Sequence, residues 1–169
     1  HGHEVFIQSN AGVASGYPDA DYQSAGAQIA PDAAALYGGV QMVLKVKEPI
    51  TSEYPLLRKD HILFSYLHLA ALPKLAQTLK EKGLTAVAFE TVEANGKLPL
   101  LAPMSDIAGR LSVHIGTTLL HGHAGGRGVM LGGLPSTERG HVVILGAGVA
   151  GGNAAAEQAQ GVQQRQCKD

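Results

Sequence analysis

Between His141 and Ala156 the chain reads HVVILGAGVAGGNAAA, an order of residues that leaves few choices of fold. The apolar run Val142 to Leu145 predicts a strand, Gly146-Ala147-Gly148-Val149-Ala150-Gly151 a tight connection, and the alanine-rich stretch after it a helix. In such a unit Gly146 makes the turn, Gly148 lets backbone approach a pyrophosphate, and Gly151 lets helix and strand pack closely. The helix N-terminus then carries the phosphate charge. The same glycines also suit a tight turn that binds no nucleotide. A ribose-binding acid is expected about 20 residues further on, where Asp169 stands. The segment before it, GVQQRQCKD, lacks the apolar run that the second strand of such a unit requires.

Upstream, apolar runs alternate with helix signals. Glu4 to Gln8, Val40 to Val46, His61 to Leu67 and Thr85 to Glu90 read as strands, the last three buried. Pro18-Asp19 opens a helix with acids in its first turn, Pro31 to Gly39 is a short helix closed by glycine, and Glu53 to Arg58 a short turn or helix. Leu72 to Lys82 is amphipathic and stops at Gly83. Ser105 is placed as the N-cap of a helix running from Asp106 to about Leu120, with Ile107, Leu111, Ile115 and Leu119 on its apolar face. The glycine-dense stretch His121 to Gly128 is expected to have no persistent structure of its own. Alternation at this spacing argues for an α/β fold of βαβ units and a mainly parallel sheet.

Two of the apolar runs lead into a polar residue that a strand core would not choose, Lys47 and His68. Ligands of open α/β sheets sit beyond the carboxyl ends of the strands, so a cation and a proton-transfer group leaving neighbouring strands can meet on one small molecule. Spacing alone also admits a solvated lysine and a structural histidine. The pairs His1/His3 and His121/His123 have no third ligand type nearby and are read as solvated loop residues, with no metal.

With a net charge of −1, the chain of 169 residues gives no electrostatic reason to expect nucleic acid or an anionic membrane as partner. No apolar run approaches the roughly 18 residues of a membrane span. The single Cys167 rules out an internal disulfide, and a cytoplasmic enzyme is expected.

KVKEP (Lys45 to Pro49), LFSYLHLA (Leu63 to Ala70), AFETV (Ala88 to Val92), PLLAPMSDIAGR (Pro99 to Arg110), GGRGVMLGGLP (Gly125 to Pro135) and GAGVAGGNAA (Gly146 to Ala155) together resemble the L-alanine dehydrogenases, relatives of the transhydrogenase nucleotide-binding subunit. The resemblance implies residues 1–104 as part of a substrate domain, 105–125 as a connecting helix and loop, and 126–169 as the beginning of a Rossmann NAD-binding domain. It implies NAD-dependent interconversion of L-alanine with pyruvate and ammonium, in a homo-oligomer that is commonly a hexamer. By it, Lys47 binds the pyruvate carboxylate or carbonyl, His68 is the acid/base, Met104 lines the substrate pocket and Ser105 lies near the nicotinamide. Gly146, Gly148, Gly151 and Asp169 would bind the cofactor.

The family's N-terminal segment, with an arginine for the substrate carboxylate, is expected ahead of His1, and the rest of its nucleotide domain, with a catalytic aspartate, after Asp169. From Glu157 onward the residues depart from the family pattern. Little dehydrogenase activity is therefore expected of this chain alone. The alternative is a non-catalytic nucleotide-binding or assembly module of the transhydrogenase-related family.

Overall fold

The computed structural model describes residues 2–133, 135–136 and 139–163, which divide between two compact units, His1–Val92 and Glu93–Asp169. Among the described residues no helix is long and apolar enough to cross a membrane.

The first unit is mixed α/β with two parallel sheets. Strand β1 (Phe6–Gln8) pairs with β2 (Gln28–Ala30) across helix α1 (Asp19–Ser24). The Asp19 carboxylate takes hydrogen bonds from Ser9 Oγ at 2.9 Å and Asn10 N at 2.8 Å, so the acid expected to serve the helix dipole also ties down the loop leaving β1. Asp32 caps α2 (Ala33–Gly39), its Oδ1 accepting from Ala35 N at 2.8 Å. The second sheet has the order β3 (Met42–Leu44), β4 (Ile62–Ser65), β5 (Thr85–Ala88), all parallel. A 3-10 segment, Thr51–Leu56, joins β3 to β4, and helix α3 (Pro73–Lys82) joins β4 to β5. Gly83, at φ 67°, ends α3 in the left-handed conformation that glycine adopts without strain.

Val43, Leu63, Leu75 and Leu79 meet Tyr37, Leu57 and Leu67 in one core on one face of this sheet. The opposite face is open: Met42 and Leu44 are 53% and 66% exposed, and Ile62 and Val87 are partly exposed beside them. The expectation of fully buried strands therefore holds for one face only. Parallel strands bury both faces only when helices cover both, and here the buried leucines of α3 and the Tyr37 of α2 lie in the single core. The strands are also shorter than read. β3 ends at Leu44, β4 at Ser65 and β5 at Ala88, where a 3-10 turn (Phe89–Thr91) takes over, so Lys47 and His68 lie in loops beyond the strand ends.

In the second unit, Asn95 and Gly96 turn with φ of 53° and 70° while Ala94 and Lys97 exchange backbone hydrogen bonds. Helix α4 (Ala102–Leu120) starts earlier than expected and is not capped by Ser105. Pro103 fits its first turn, where a missing N–H costs nothing, and the Ser105 amide already bonds to Leu101 O at 3.3 Å.

The expected apolar face of α4 is not its packing face: Ile107 is 58% and Ile115 55% exposed. The helix meets α5 (Val149–Gln163) through buried Gly109, where an added Cβ would strike the Ala150 carbonyl oxygen. Close helix approach selects the missing side chain over the bulky stripe.

The His121–Gly128 loop is ordered, contrary to expectation. It holds a 3-10 turn (Gly122–Ala124), and the amides of Gly126 and Gly128 return to His121 O and Leu120 O, satisfying carbonyls that the end of α4 leaves open.

Candidate functional site

Adjacent parallel strands place three polar side chains at one sheet edge. Glu48 follows β3, His68 follows β4 and Glu90 follows β5. Tyr66 N donates to Val46 O at 3.0 Å, continuing the β3–β4 pairing past the strand ends and bringing the two loops together. Glu48 Oε2 then lies 2.9 Å from His68 Nδ1. A carboxylate only accepts, so Nδ1 carries a proton, and whenever the ring is neutral the lone pair lies on Nε2.

His68 has φ 47°, left-handed; the other described non-glycine residues with positive φ are Asn10 and Asn95, the residue type that most readily visits this region. Such a conformation costs of order 1–3 kcal/mol and persists only where surroundings enforce it. Glu90 supplies that enforcement: its Oε1 accepts from His68 N at 2.7 Å, and both of its oxygens lie 3.2 Å from Leu67 N. The His68 ring stacks on buried Tyr66, centroids 5.8 Å apart and planes 21° apart, and Phe89 abuts Tyr66 edge-on at 5.2 Å.

The two carboxylates hold their charge. Glu48 is drawn below the ordinary carboxylate range by a hydrogen bond from its own backbone N–H, then by the His68 ring and the nearby charges of His68 and Lys47. For Glu90 burial pushes upward, but hydrogen bonds from its own amide and those of His68 and Leu67 outweigh it, and it too sits below that range.

The two lysines of KVK differ in role. Lys45 Nζ lies 2.6 Å from Glu53 Oε2 in an ion pair, and that glutamate also takes the Ile50 amide and the Tyr37 hydroxyl. Lys47 is exposed beside Glu48. The edge thus presents a cation, an imidazole with one nitrogen fixed, and two anions that fix it.

The glycine fingerprint belongs to the other unit. Gly146 has φ 97°, a value that favours glycine. A Cβ added at Gly148 meets nothing within 4 Å, and one added at Gly151 would collide with the Gly146 carbonyl oxygen. Val142 to Leu145, however, is not a strand: Val143 is 80% and Leu145 93% exposed. A strand exists through its neighbour's hydrogen bonds, and no described residue of this unit supplies a neighbouring strand. The segment borders a groove of about 610 Å³ whose walls include Gly109, Gly116, Ile144 and Ala154.

Met104 and Ser105 both lie in the first turns of α4, Met104 exposed and Ser105 half-buried. Asp169 lies outside the described residues. Glu157 accepts from Arg110 Nη1 at 3.1 Å and lies 3.1 Å from His114 Nε2. Among the described residues no cluster of three His, Cys, Asp or Glu side chains is arranged to hold a metal ion.

Sequence reasoning singled out Lys47 and His68 and missed Glu48 and Glu90. The rule that found the first two, a polar residue closing an apolar run, applies equally to Glu90 after TAVAF. Its bond to an amide 22 residues away leaves no periodic trace.

Residues 1–108 match the family described as Alanine dehydrogenase/PNT, N-terminal domain, and residues 112–165 its C-terminal domain. The chain is 50% identical over 155 residues to the alanine dehydrogenase of Bacillus subtilis (strain 168), covering 92% of this chain and 41% of that protein. It is likewise 50% identical to the alanine dehydrogenase of Mycobacterium tuberculosis (strain H37Rv), covering 91% of this chain and 42% of that one. A solved L-alanine dehydrogenase superposes with a TM-score of 0.85 at 53% identity, over 94% of this chain and 44% of the other. A transhydrogenase from Sinorhizobium meliloti shares the fold, with a TM-score of 0.72 at 23% identity, over 94% of this chain and 47% of the other. The chain therefore spans about two fifths of the length of these alanine dehydrogenases. On the match of both domains, the chain belongs to the alanine dehydrogenase/PNT family.

Proposed function

We propose that this chain carries the substrate-binding and proton-transfer residues of an NAD-dependent alanine dehydrogenase, interconverting L-alanine with pyruvate and ammonium. The observation that carries this reading is His68, its Nδ1 fixed by Glu48 at 2.9 Å, in the loop beyond β4 next to the loop that bears Lys47. The 50% identity to proteins named alanine dehydrogenase supports the same substrate. In this reading residues 1–104 are part of a substrate domain, 105–125 a connection, and 126–169 the beginning of a nucleotide-binding domain. The whole works as a homo-oligomer in the cytoplasm.

Lys47 binds the substrate carboxylate or carbonyl, Met104 lines the pocket, and Ser105 serves the nicotinamide side. In deamination water adds to the imine carbon as His68 Nε2 takes one of its protons and passes it to the carbinolamine nitrogen. Nε2 then takes the hydroxyl proton as the carbonyl forms and the C–N bond breaks, and hands it to the departing ammonia, which leaves as ammonium. Glu48 keeps the ring in the tautomer that leaves Nε2 basic and stabilises the imidazolium once it forms. The glycine loop fits a dinucleotide: Gly146 turns the chain, the open side of Gly148 admits a pyrophosphate, and the 15-residue α5 begins directly after. Gly146, Gly148 and Gly151 would hold it there, with Asp169 proposed for the ribose. The chemistry that NAD would supply when bound is acceptance of the hydride leaving the alanine Cα.

The test is a chimera in which Gly2 to Ala155 of this chain replaces the matching stretch of the Bacillus subtilis enzyme. Alanine-dependent reduction of NAD by the chimera, with little or none by this chain alone, is the expected result. A folded chimera that binds NADH and does not turn over alanine would favour the competing reading, a non-catalytic nucleotide-binding or assembly module.

A further inference from the structure

We propose that Glu90 is a positioning residue: by accepting the amides of Leu67 and His68 it holds the His68 backbone left-handed, and so delivers the imidazole to Glu48 with Nδ1 protonated and Nε2 left for substrate. Three observations carry the assignment. His68 stands at φ 47°, between two leucines that give it no local reason to do so. Glu90 binds the two consecutive amides that lead into the distortion, at 2.7 Å from His68 N and 3.2 Å from Leu67 N. Its own place is fixed by the 3-10 turn that ends β5, and the neighbouring Phe89 props Tyr66, the residue on which the His68 ring stacks.

The geometry forms a relay. β5 sets Glu90, Glu90 sets the backbone of His68, and that backbone sets which ring nitrogen meets the Glu48 carboxylate. A carboxylate suits this task because its two oxygens, held ionised, can take two consecutive amides at once. The glutamine side chain retains one acceptor oxygen and keeps part of the arrangement. Alanine keeps none.

What the imidazole is positioned for rests on the alanine dehydrogenase reading, but the positioning itself does not. The test therefore uses the 169-residue chain without substrate. At pH 8, nitrogen-15 NMR of His68 reads the ring tautomer directly. The wild-type chain is expected to show the Nδ1–H form, with the strong intraresidue amide-to-Hα cross-peak of a positive φ. Glu90→Ala is expected to lose both signatures, the ring reverting to a mixture of tautomers, in a chain that melts at a lower temperature and still folds. Glu90→Gln is expected to recover part of the Nδ1–H signal. An unchanged His68 tautomer and cross-peak in a folded Glu90→Ala chain would overturn the proposal. So would a His68 ring in the wild-type chain that carries its proton on Nε2. If Glu90→Ala does not fold, Glu90→Gln decides alone: the Nδ1–H form weakened but present supports the relay, and the full wild-type signal overturns it. A chimera without turnover would count against the catalytic reading and leave these outcomes intact.

Discussion

Glu48 and His68, twenty residues apart in sequence, face each other at 2.9 Å because β3 and β4 run parallel and end side by side. The contact sets the imidazole tautomer, and Glu48→Gln should weaken it. In the chimera this substitution is expected to lower turnover about tenfold or more with the fold intact, since a neutral amide neither orients the ring as firmly nor stabilises its charged form. Steady-state kinetics beside a thermal melt check it.

Acid should loosen the same edge. The folded-state values of Glu48 and Glu90 lie below the ordinary carboxylate range. Their contribution to stability is therefore present above about pH 4.3, the unperturbed glutamate value, and is lost as pH falls through the lower folded values. The melting temperature is expected to hold steady from pH 8 to about 5 and to drop below that. Glu90→Gln should reduce the drop, and an identical pH profile in that variant would contradict the assignment.

Ser65 predicts the opposite kind of result. Its hydroxyl is fully buried at the end of β4 and has no hydrogen-bond partner among the described residues. Ser65→Ala should stabilise the chain by about 1 kcal/mol, because it removes a desolvated polar group and breaks no bond. Chemical denaturation at neutral pH measures it.

His61 is the structural counterpart to His68. It is 1% exposed, accepts from Arg58 N at Nδ1 and faces Tyr37 O at 3.0 Å with Nε2, which fixes the Nε2–H tautomer. His61→Phe leaves the half-buried Arg58 amide without its acceptor, while Tyr37 O keeps the Arg58 guanidinium as a donor, so the cost is about 1–3 kcal/mol. The melt should fall accordingly, and little or no change would mean that the pair of bonds contributes nothing.

The fingerprint glycines separate fold from binding. Gly151→Ala forces a Cβ onto the Gly146 carbonyl and should lower the melting temperature of the chimera. Gly148→Ala meets open space, so it should leave the melt unchanged and raise the KM for NAD. Equal effects of the two on stability would remove the proposed pyrophosphate cradle.

Much of this architecture was legible in the chain because it is local. Gly83 stops α3, Pro18 opens α1, the Pro31 to Gly39 stretch holds α2, and the Val40 to Val46 and His61 to Leu67 runs became neighbouring parallel strands. The illegible parts are those set by distant partners. Strand β2, Gln28–Ala30, is too short for periodicity and exists through its pairing with β1. The Ile107, Leu111, Ile115, Leu119 stripe looked like a core face, yet closeness at Gly109 decided which side of α4 packs. At the candidate site the sequence pointed to Lys47 and His68, while Glu90 acts through backbone amides that no side-chain pattern records.

Pyruvate-dependent oxidation of NADH by the chimera, compared with its Lys47→Ala and His68→Ala variants at matched folded fraction, tests the central claim most directly. Loss of turnover by roughly a hundredfold or more in each is the expected result. Turnover within a few-fold of the parent chimera in either variant would contradict the account.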